Sequence, residues 1–187
     1  MHKVILIGSS TGGPGLLEKI IKNLPEHICT PIIIAQHMDA LSLHSFSARL
    51  HRLGKTPVKF VDTQTTLKTN EIYVLKDTTK LTLKNNQLTL EPINKVGYLY
   101  HPTIDELFIS ASGLSNVKIT AYILSGIGAD GAFGMQALHT KGALTIAQDE
   151  ETSIVYGMPR AAKERNAVQE ILSIDDIKNK IAKDVEC

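Results

Sequence analysis

The sequence has few cysteines, almost no net charge and no long apolar run. Its two cysteines, Cys29 and Cys187, lie far apart and form no Cys-x-x-Cys motif, so we expect no disulfide framework and a reducing compartment. A net charge of +1 creates no global field that would attract nucleic acid or a membrane surface. No stretch approaches the length of a membrane span, and no signal-peptide pattern precedes the first predicted strand. We therefore expect a cytoplasmic protein that does not insert into membranes and does not bind nucleic acid.

The composition and length are those of a globular domain. Hydrophobic residues make up 43% of the 187 residues, which suits a folded chain with a sizeable core. No repeat, low-complexity segment or linker divides the sequence. We predict a single domain over residues 1–187.

Runs rich in β-branched residues alternate with amphipathic helical patterns, which predicts an α/β fold. Strands are predicted at residues 3–7, 31–36, 58–62, 71–75, 117–124, 143–148 and 170–173, and helices at 16–23, 41–53, 104–113, 132–141, 160–166 and 175–184. Continuous apolar strands indicate a parallel sheet covered on both faces. Residues 80–83 and 87–90 alternate instead and flank Asn85 and Asn86, which predicts an antiparallel hairpin. The prediction is a three-layer α/β/α fold with a mostly parallel sheet and this hairpin at one edge.

The turn after the first predicted strand, residues 8–13 (GSSTGG), carries the most informative pattern. A serine flanked by Gly8 and Gly12 between a strand and a helix fits a sharp turn that exposes the hydroxyl of Ser10. Amides at the helix N-terminus would then stabilise an oxyanion. The same turn could hold a phosphate or merely join strand to helix, so all three interpretations stay open. A P-loop is excluded because Pro14 follows Gly13, and the dinucleotide fingerprint is excluded by the glycine spacing.

Two further polar segments follow apolar strands directly. His37 comes after residues 32–35, and Asp130 lies in the segment 125–131 (SGIGADG) after residues 119–124. Parallel sheets bind ligands beyond the carboxyl ends of their strands, so a serine, a histidine and an aspartate on this rim would be the components for acyl transfer. Alternatively, His37 could cap a helix or be exposed, and Asp130 could be the N-cap of the helix at 132–141. The spacing does not say which strands are neighbours.

The other candidate residues suggest structural roles. Asp105 and Glu106 fit the first turn of a helix with Thr103 as its N-cap. His44 and His51 are seven residues apart on one predicted helix but have no third ligand at metal spacing. We predict no metal and no cofactor.

An ordered set of motifs resembles the catalytic domain of the bacterial chemotaxis protein-glutamate methylesterases. The matching segments are residues 7–14, 36–38, 45–50, 101–105, 124–132, 145–150 and 152–159. The resemblance implies that Ser10 is the nucleophile, His37 the general base and Asp130 the carboxylate that orients the imidazole. Backbone amides at residues 10–12 or 126–128 would hold the oxyanion, with Thr11 shaping the turn and Gly12 within it; the resemblance favours the amide of Ile127.

The resemblance also implies a substrate, namely a glutamate γ-methyl ester on the cytoplasmic helices of a chemoreceptor. Methanol would be released, and glutamines could be deamidated by the same acyl-enzyme route. The methylated chemoreceptor would be the partner, while the oligomeric state is left unpredicted. Many members carry an N-terminal receiver domain that blocks the site until it is phosphorylated, and no segment of this sequence corresponds to it.

The sequence departs from the family pattern at three places. Asp39 and Ala40 stand where two prolines are common, Ile127 replaces a usual methionine, and Asn166 replaces a glycine at a helix end, where asparagine is tolerated. Two non-catalytic hypotheses compete with the enzyme. In a phosphate- or nucleotide-binding module, the negative charge of Asp130 would lie unfavourably close to the bound anion. A receptor-binding adaptor would be expected to lack a triad member, whereas all three are present.

Overall fold

The computed structural model describes residues 1–93, 97 and 99–187, and these form alternating strands and helices. The strands are β1 (His2–Ser9), β2 (Ile32–Gln36), β3 (Val58–Val61), β4 (Thr65–Thr66), β5 (Ile72–Leu75), β6 (Thr79–Lys84), β7 (Gln87–Pro92), β8 (Val117–Ile123), β9 (Leu144–Gln148) and β10 (Glu170–Leu172). The helices are α1 (Gly13–Asn23), α2 (Ala40–Leu53), α3 (Ile104–Ser112), α4 (Ala132–Thr140), α5 (Met158–Glu164) and α6 (Ile174–Asp184). Every predicted strand and helix is present, with ends shifted by a few residues.

Seven strands of the described chain form a parallel sheet in the order β10-β9-β8-β1-β2-β5-β3. The chain starts in the middle of this sheet and adds strands on both sides of β1. Such a reversal of direction leaves a crevice at the carboxyl ends of the central strands, where α/β proteins place their ligand sites.

Helices cover both faces of the sheet, as the continuous apolar strands predict. Alternate residues of β1 point to opposite faces, so Val4 and Leu6 join the core beneath α3, α4 and α5, while Ile5 and Ile7 join the core beneath α1, α2 and α6. The three-layer α/β/α prediction is confirmed.

The predicted hairpin forms, but it does not extend the main sheet. Strands β6 and β7 are joined through Asn85 and Asn86, both with positive φ, and pair with β4 in a separate three-stranded sheet. The apolar side of the hairpin is buried in the core beneath α3, and the amide of Leu81 donates to the hydroxyl of Ser110 at 3.0 Å. The hairpin therefore covers a helix instead of a sheet edge.

The expectation of unpaired cysteines is wrong. Cys29 and Cys187 form a disulfide with their Cα atoms 5.1 Å apart. The tail after α6 lies along the loop before β2, where the amide of Cys29 donates to the carbonyl of Val185 at 2.8 Å. The bridge lies at the amino ends of the central strands, opposite the carboxyl edge.

None of the helices in the described ranges has both the length and the apolar character needed to cross a membrane.

Candidate active site

The three predicted triad residues follow three consecutive strands of the sheet. β1 lies between β8 and β2, with Ser9 opposite Gln36 and Gly8 opposite Ile123. Ser10 and His37 are the next residues of their strands, so the register places them side by side. Asp130 reaches the same edge from the loop after β8. The strands that precede Ser10, His37 and Asp130 are therefore neighbours in the sheet, which the sequence spacing alone did not reveal.

The turn that carries Ser10 is held by backbone hydrogen bonds. The Ser10 amide donates to the Ser125 carbonyl at 3.0 Å, and the Gly13 amide donates to the Ser10 carbonyl at 2.8 Å. Gly12 precedes α1 with a φ of 84°, a conformation that favours glycine. Thr11 contributes through its carbonyl, which accepts from the Ser125 hydroxyl at 2.7 Å. Ser10 is 8% exposed, so the turn holds this residue almost wholly beneath the protein surface.

His37 and Asp130 form a buried pair. His37 Nε2 lies 2.7 Å from Asp130 Oδ2, and their side chains are only 6% and 7% exposed. An ionised carboxylate only accepts hydrogen bonds, so Nε2 carries the proton and Nδ1 has the free lone pair. Within the described residues, this buried Nδ1 has no hydrogen-bond partner, so it is not bonded to the Ser10 hydroxyl in this structure. The imidazole is thus oriented by Asp130, with its basic nitrogen unused.

The alternative interpretations of His37 do not hold. The side chain is buried and does not cap α2. That position is taken by Asp39, whose Oδ1 accepts from the amides of Leu41 and Ser42 at 3.1 and 3.0 Å. The departure from the family pattern at Asp39 therefore supplies a helix cap.

Asp130 is also a helix cap, but for a different helix from the one expected. Its Oδ2 accepts from the Ile104 amide at 2.8 Å and its Oδ1 from the Asp105 amide at 3.0 Å, both at the start of α3. Asp105 in turn accepts from the Gly134 amide in α4 at 2.7 Å. Asp130 thus caps α3, the helix that contains Asp105, and Asp105 caps α4, the helix that follows Asp130, which fixes the two N-termini relative to His37. Thr103 occupies the N-cap position of α3, but its side chain makes no capping bond.

The two carboxyl groups have opposite pKa shifts. Burial would raise the pKa of Asp130, but the hydrogen bonds from His37 and from the amides of Asp105 and Ile104 outweigh it and lower the pKa below its ordinary value. Burial, together with the nearby charge of Asp130, raises the pKa of Asp105 to about 6 despite the hydrogen bond from Gly134. Asp130 is therefore the carboxylate that stays ionised beside the imidazole.

The aromatic ring of Tyr100 stacks on the imidazole of His37. The rings of Tyr100 and His37 are parallel within 5° and their centroids are 4.7 Å apart. Tyr100, Phe133 and Leu99 also line a shallow pocket of about 440 Å³ that reaches Asp130. Leu99, Phe133 and Ile127 are 84%, 54% and 54% exposed, so the site opens onto an apolar rim.

Some of the backbone amides predicted to bind the oxyanion already donate hydrogen bonds within the protein, and others do not. The Ser10 and Gly126 amides donate to the carbonyls of Ser125 and Val155, so neither is available. In the described parts of the chain, the amides of Thr11, Gly12, Ile127 and Gly128 donate no hydrogen bond. These four remain the candidates for binding a developing negative charge.

The sequence left three features of the site unrecognised. Nothing marked Tyr100 as a stacking partner or Asp105 as the reciprocal cap of α4. Gln36 directly precedes His37, and its position at the end of a buried strand is a signal from which its role could have been predicted. No group of three or more His, Cys, Asp or Glu residues able to hold a metal ion occurs among the residues that the structure describes.

The fold is of the doubly wound α/β class, and the residues gathered at its carboxyl edge are those of acyl-transfer enzymes. Comparison with known proteins agrees. A family model described as CheB methylesterase matches residues 5–181. The crystal structure of the Thermotoga maritima CheB methylesterase catalytic domain superposes with a TM-score of 0.90 and 31% identity, covering 99% of this chain and 100% of that one.

Curated relatives carry the same kind of name. A protein-glutamate methylesterase/protein-glutamine glutaminase of Carboxydothermus hydrogenoformans is 37% identical over 189 residues, which cover 98% of this chain and 56% of that protein. One from Saccharophagus degradans is 34% identical over 184 residues, covering 98% of this chain and 50% of that protein. This chain belongs to the CheB methylesterase family. It spans about half the length of these curated relatives.

Proposed function

We propose that this chain is a serine hydrolase that demethylates glutamate γ-methyl esters on the cytoplasmic helices of a chemoreceptor, releases methanol and deamidates glutamines at such sites. The names of the relatives support the reaction. The observation that carries the proposal is the buried His37–Asp130 hydrogen bond of 2.7 Å beside Ser10. It leaves one basic nitrogen, His37 Nδ1, without a partner among the described residues.

In the acylation step, His37 Nδ1 accepts the hydroxyl proton as Ser10 Oγ attacks the ester carbonyl. The imidazole then carries a positive charge, which ionised Asp130 stabilises across the Nε2–Oδ2 hydrogen bond. The carbonyl oxygen becomes an oxyanion that the free amides of Ile127, Thr11 or Gly12 would bind. Collapse of this intermediate transfers the Nδ1 proton to the departing methoxide, which leaves as methanol.

Deacylation repeats these proton transfers with water as the nucleophile. His37 takes one proton from water as its oxygen attacks the acyl-enzyme, and the proton returns to Ser10 Oγ as the glutamic acid side chain leaves. The acid then ionises and releases its remaining proton to solvent. A glutamine side chain would follow the same route with ammonia as the first product. Because Asp130 stays ionised, the imidazole keeps the same tautomer in both steps.

The proposed partner and location follow from this substrate. The methylated cytoplasmic domain of a chemoreceptor is the partner, and the enzyme works in the cytoplasm. The exposed apolar side chains of Leu99, Ile127 and Phe133 border the site, so contact with a helical protein substrate would cover them.

The test is methanol release from a methylated receptor fragment by wild type and by Ser10→Ala. The variant should lose activity to background while its thermal unfolding stays unchanged. Ser9→Ala is the matched control, because Ser9 is the last residue of β1 and its hydroxyl donates to Gln36, and it should keep activity within about threefold. Undiminished methanol release by folded Ser10→Ala would overturn the proposal.

A further inference from the structure

Gln36 occupies a buried position between the two residues proposed to exchange a proton. It is the last residue of β2 and is 1% exposed. Its Nε2 donates to the carbonyl of Ser10 at 2.9 Å and to the carbonyl of His37 at 3.0 Å. One side-chain amide therefore bridges the main chains of both residues.

The orientation of this amide is determined by its partners. Two carbonyl oxygens accept only, so the NH₂ group must face them, and Oε1 then accepts from the Ser9 hydroxyl at 2.6 Å. Both donors and the acceptor of Gln36 are thus satisfied in a region closed to water. Loss of the two donors would leave two buried carbonyls with less than their full hydrogen bonding.

Gly13 makes room for this bridge. A Cβ at Gly13 would collide with Gln36 Oε1 and approach Ser9 Oγ to 2.8 Å. The side chain of Gln36 therefore fills the space that the missing side chain of Gly13 leaves open, and the turn and the end of β2 are complementary in shape.

We infer that Gln36 is a positioning residue, which sets the separation of Ser10 and His37 by tying their carbonyls to one rigid amide. This inference rests on the proposed function, because the separation matters only if a proton passes between Ser10 Oγ and His37 Nδ1. Gln36 does not touch the substrate. It acts through the two residues it joins, and small errors in the distance between reacting groups are costly in rate.

The test compares methanol release by Gln36→Met, Gln36→Glu and Ser9→Ala with wild type between pH 6 and pH 8.5. Methionine has nearly the same length but no donor, so kcat should fall by roughly 10- to 100-fold while KM changes little. Ser9→Ala removes only the partner of Oε1 and should stay within about threefold.

The Gln36→Glu variant separates positioning from packing. Its buried carboxyl would have a raised pKa, and the protonated form carries one O–H that can donate to one of the two carbonyls. Activity relative to wild type should therefore rise as the pH falls, whereas that of Gln36→Met should not change with pH. Division by the wild-type rate removes the pH dependence that variant and wild type share. Ser9, Ser10 and Gly13, which face Gln36, carry no titratable side chain.

Two outcomes would overturn the inference. One is a folded Gln36→Met with kcat within twofold of wild type. The other is an equal loss in all three variants that is independent of pH, since that would indicate packing alone. Failure of the proposed function is distinguishable, because wild type itself would then release no methanol.

Discussion

Replacement of Asp130 by asparagine tests the electrostatic part of the site. Three donors converge on this carboxylate: His37 Nε2 at 2.7 Å and the amides of Ile104 and Asp105 at 2.8 and 3.0 Å. Asparagine can accept at only one of its two positions. If its oxygen takes the place of Oδ2, the bonds from His37 and Ile104 survive and its NH₂ faces the Asp105 amide.

In that orientation the imidazole keeps its tautomer but loses the negative charge beside it. At a separation of about 4 Å and an effective dielectric constant of about 20, the attraction to the imidazolium is about 4 kcal/mol. We expect kcat to fall by about 10³-fold with little change in KM. The opposed N–H groups should also lower the free energy of unfolding by about 1–3 kcal/mol.

The assay is methanol release from a methylated receptor fragment at saturating concentration, with a thermal melt of the same sample. Asp105→Asn is the matched control, because it removes the neighbouring negative charge but makes no hydrogen bond to His37. It should retain kcat within a few-fold. A folded Asp130→Asn with kcat within tenfold of wild type would refute the electrostatic reasoning.

Three further predictions concern the surroundings of the site and the chain ends. Cys29→Ser removes the disulfide to Cys187, whose partners are 158 residues apart in sequence. The free energy of unfolding should fall by up to about 5 kcal/mol, which corresponds to roughly 10–20 °C in melting temperature. Equal melting temperatures of variant and wild type without reductant would contradict this prediction. Tyr100→Ala should reduce kcat about tenfold through the lost stacking on His37, whereas Tyr100→Phe, which keeps the ring, should stay within twofold; equal rates for both variants would dismiss the stacking. The pKa of Asp105 is raised to about 6, so its protonated form stabilises the folded protein below its unfolded pKa, and this stabilisation is lost as the pH rises through 6. The melting temperature of Asp105→Asn minus that of wild type should therefore increase from pH 4 to pH 7. A difference that stays constant with pH would contradict this reasoning.

The sequence was sufficient to predict every helix, every strand except β4, and the placement of Ser10, His37 and Asp130 at one edge of the sheet. Buried strands and helical faces are written locally, in runs such as residues 4–7 and in the spacing of apolar side chains along α1. The position of Ser10 after the first strand and before a helix also predicts its place at the carboxyl edge. Even the left-handed turn at Asn166, with φ of 53°, follows from the chemistry of asparagine.

The relations that the sequence did not reveal all join distant residues. The Cys29–Cys187 bridge depends on α6 ending beside the loop before β2. The capping of α3 by Asp130 depends on two loops that meet only after the sheet is assembled. The sequence pattern suggested Asp130 as the cap of α4, because such a pattern relates only residues that are close together along the chain. The hairpin could be predicted from its own residues, but its packing beneath α3 depends on the tertiary structure.

The most direct test of the central claim is the site of covalent modification by a fluorophosphonate, located by mass spectrometry of the digested protein. An activated serine attacks such a reagent, while ordinary hydroxyls do not. We predict one adduct on Ser10, which disappears in His37→Ala. Modification of another serine, or no adduct on a folded and active protein, would contradict the account.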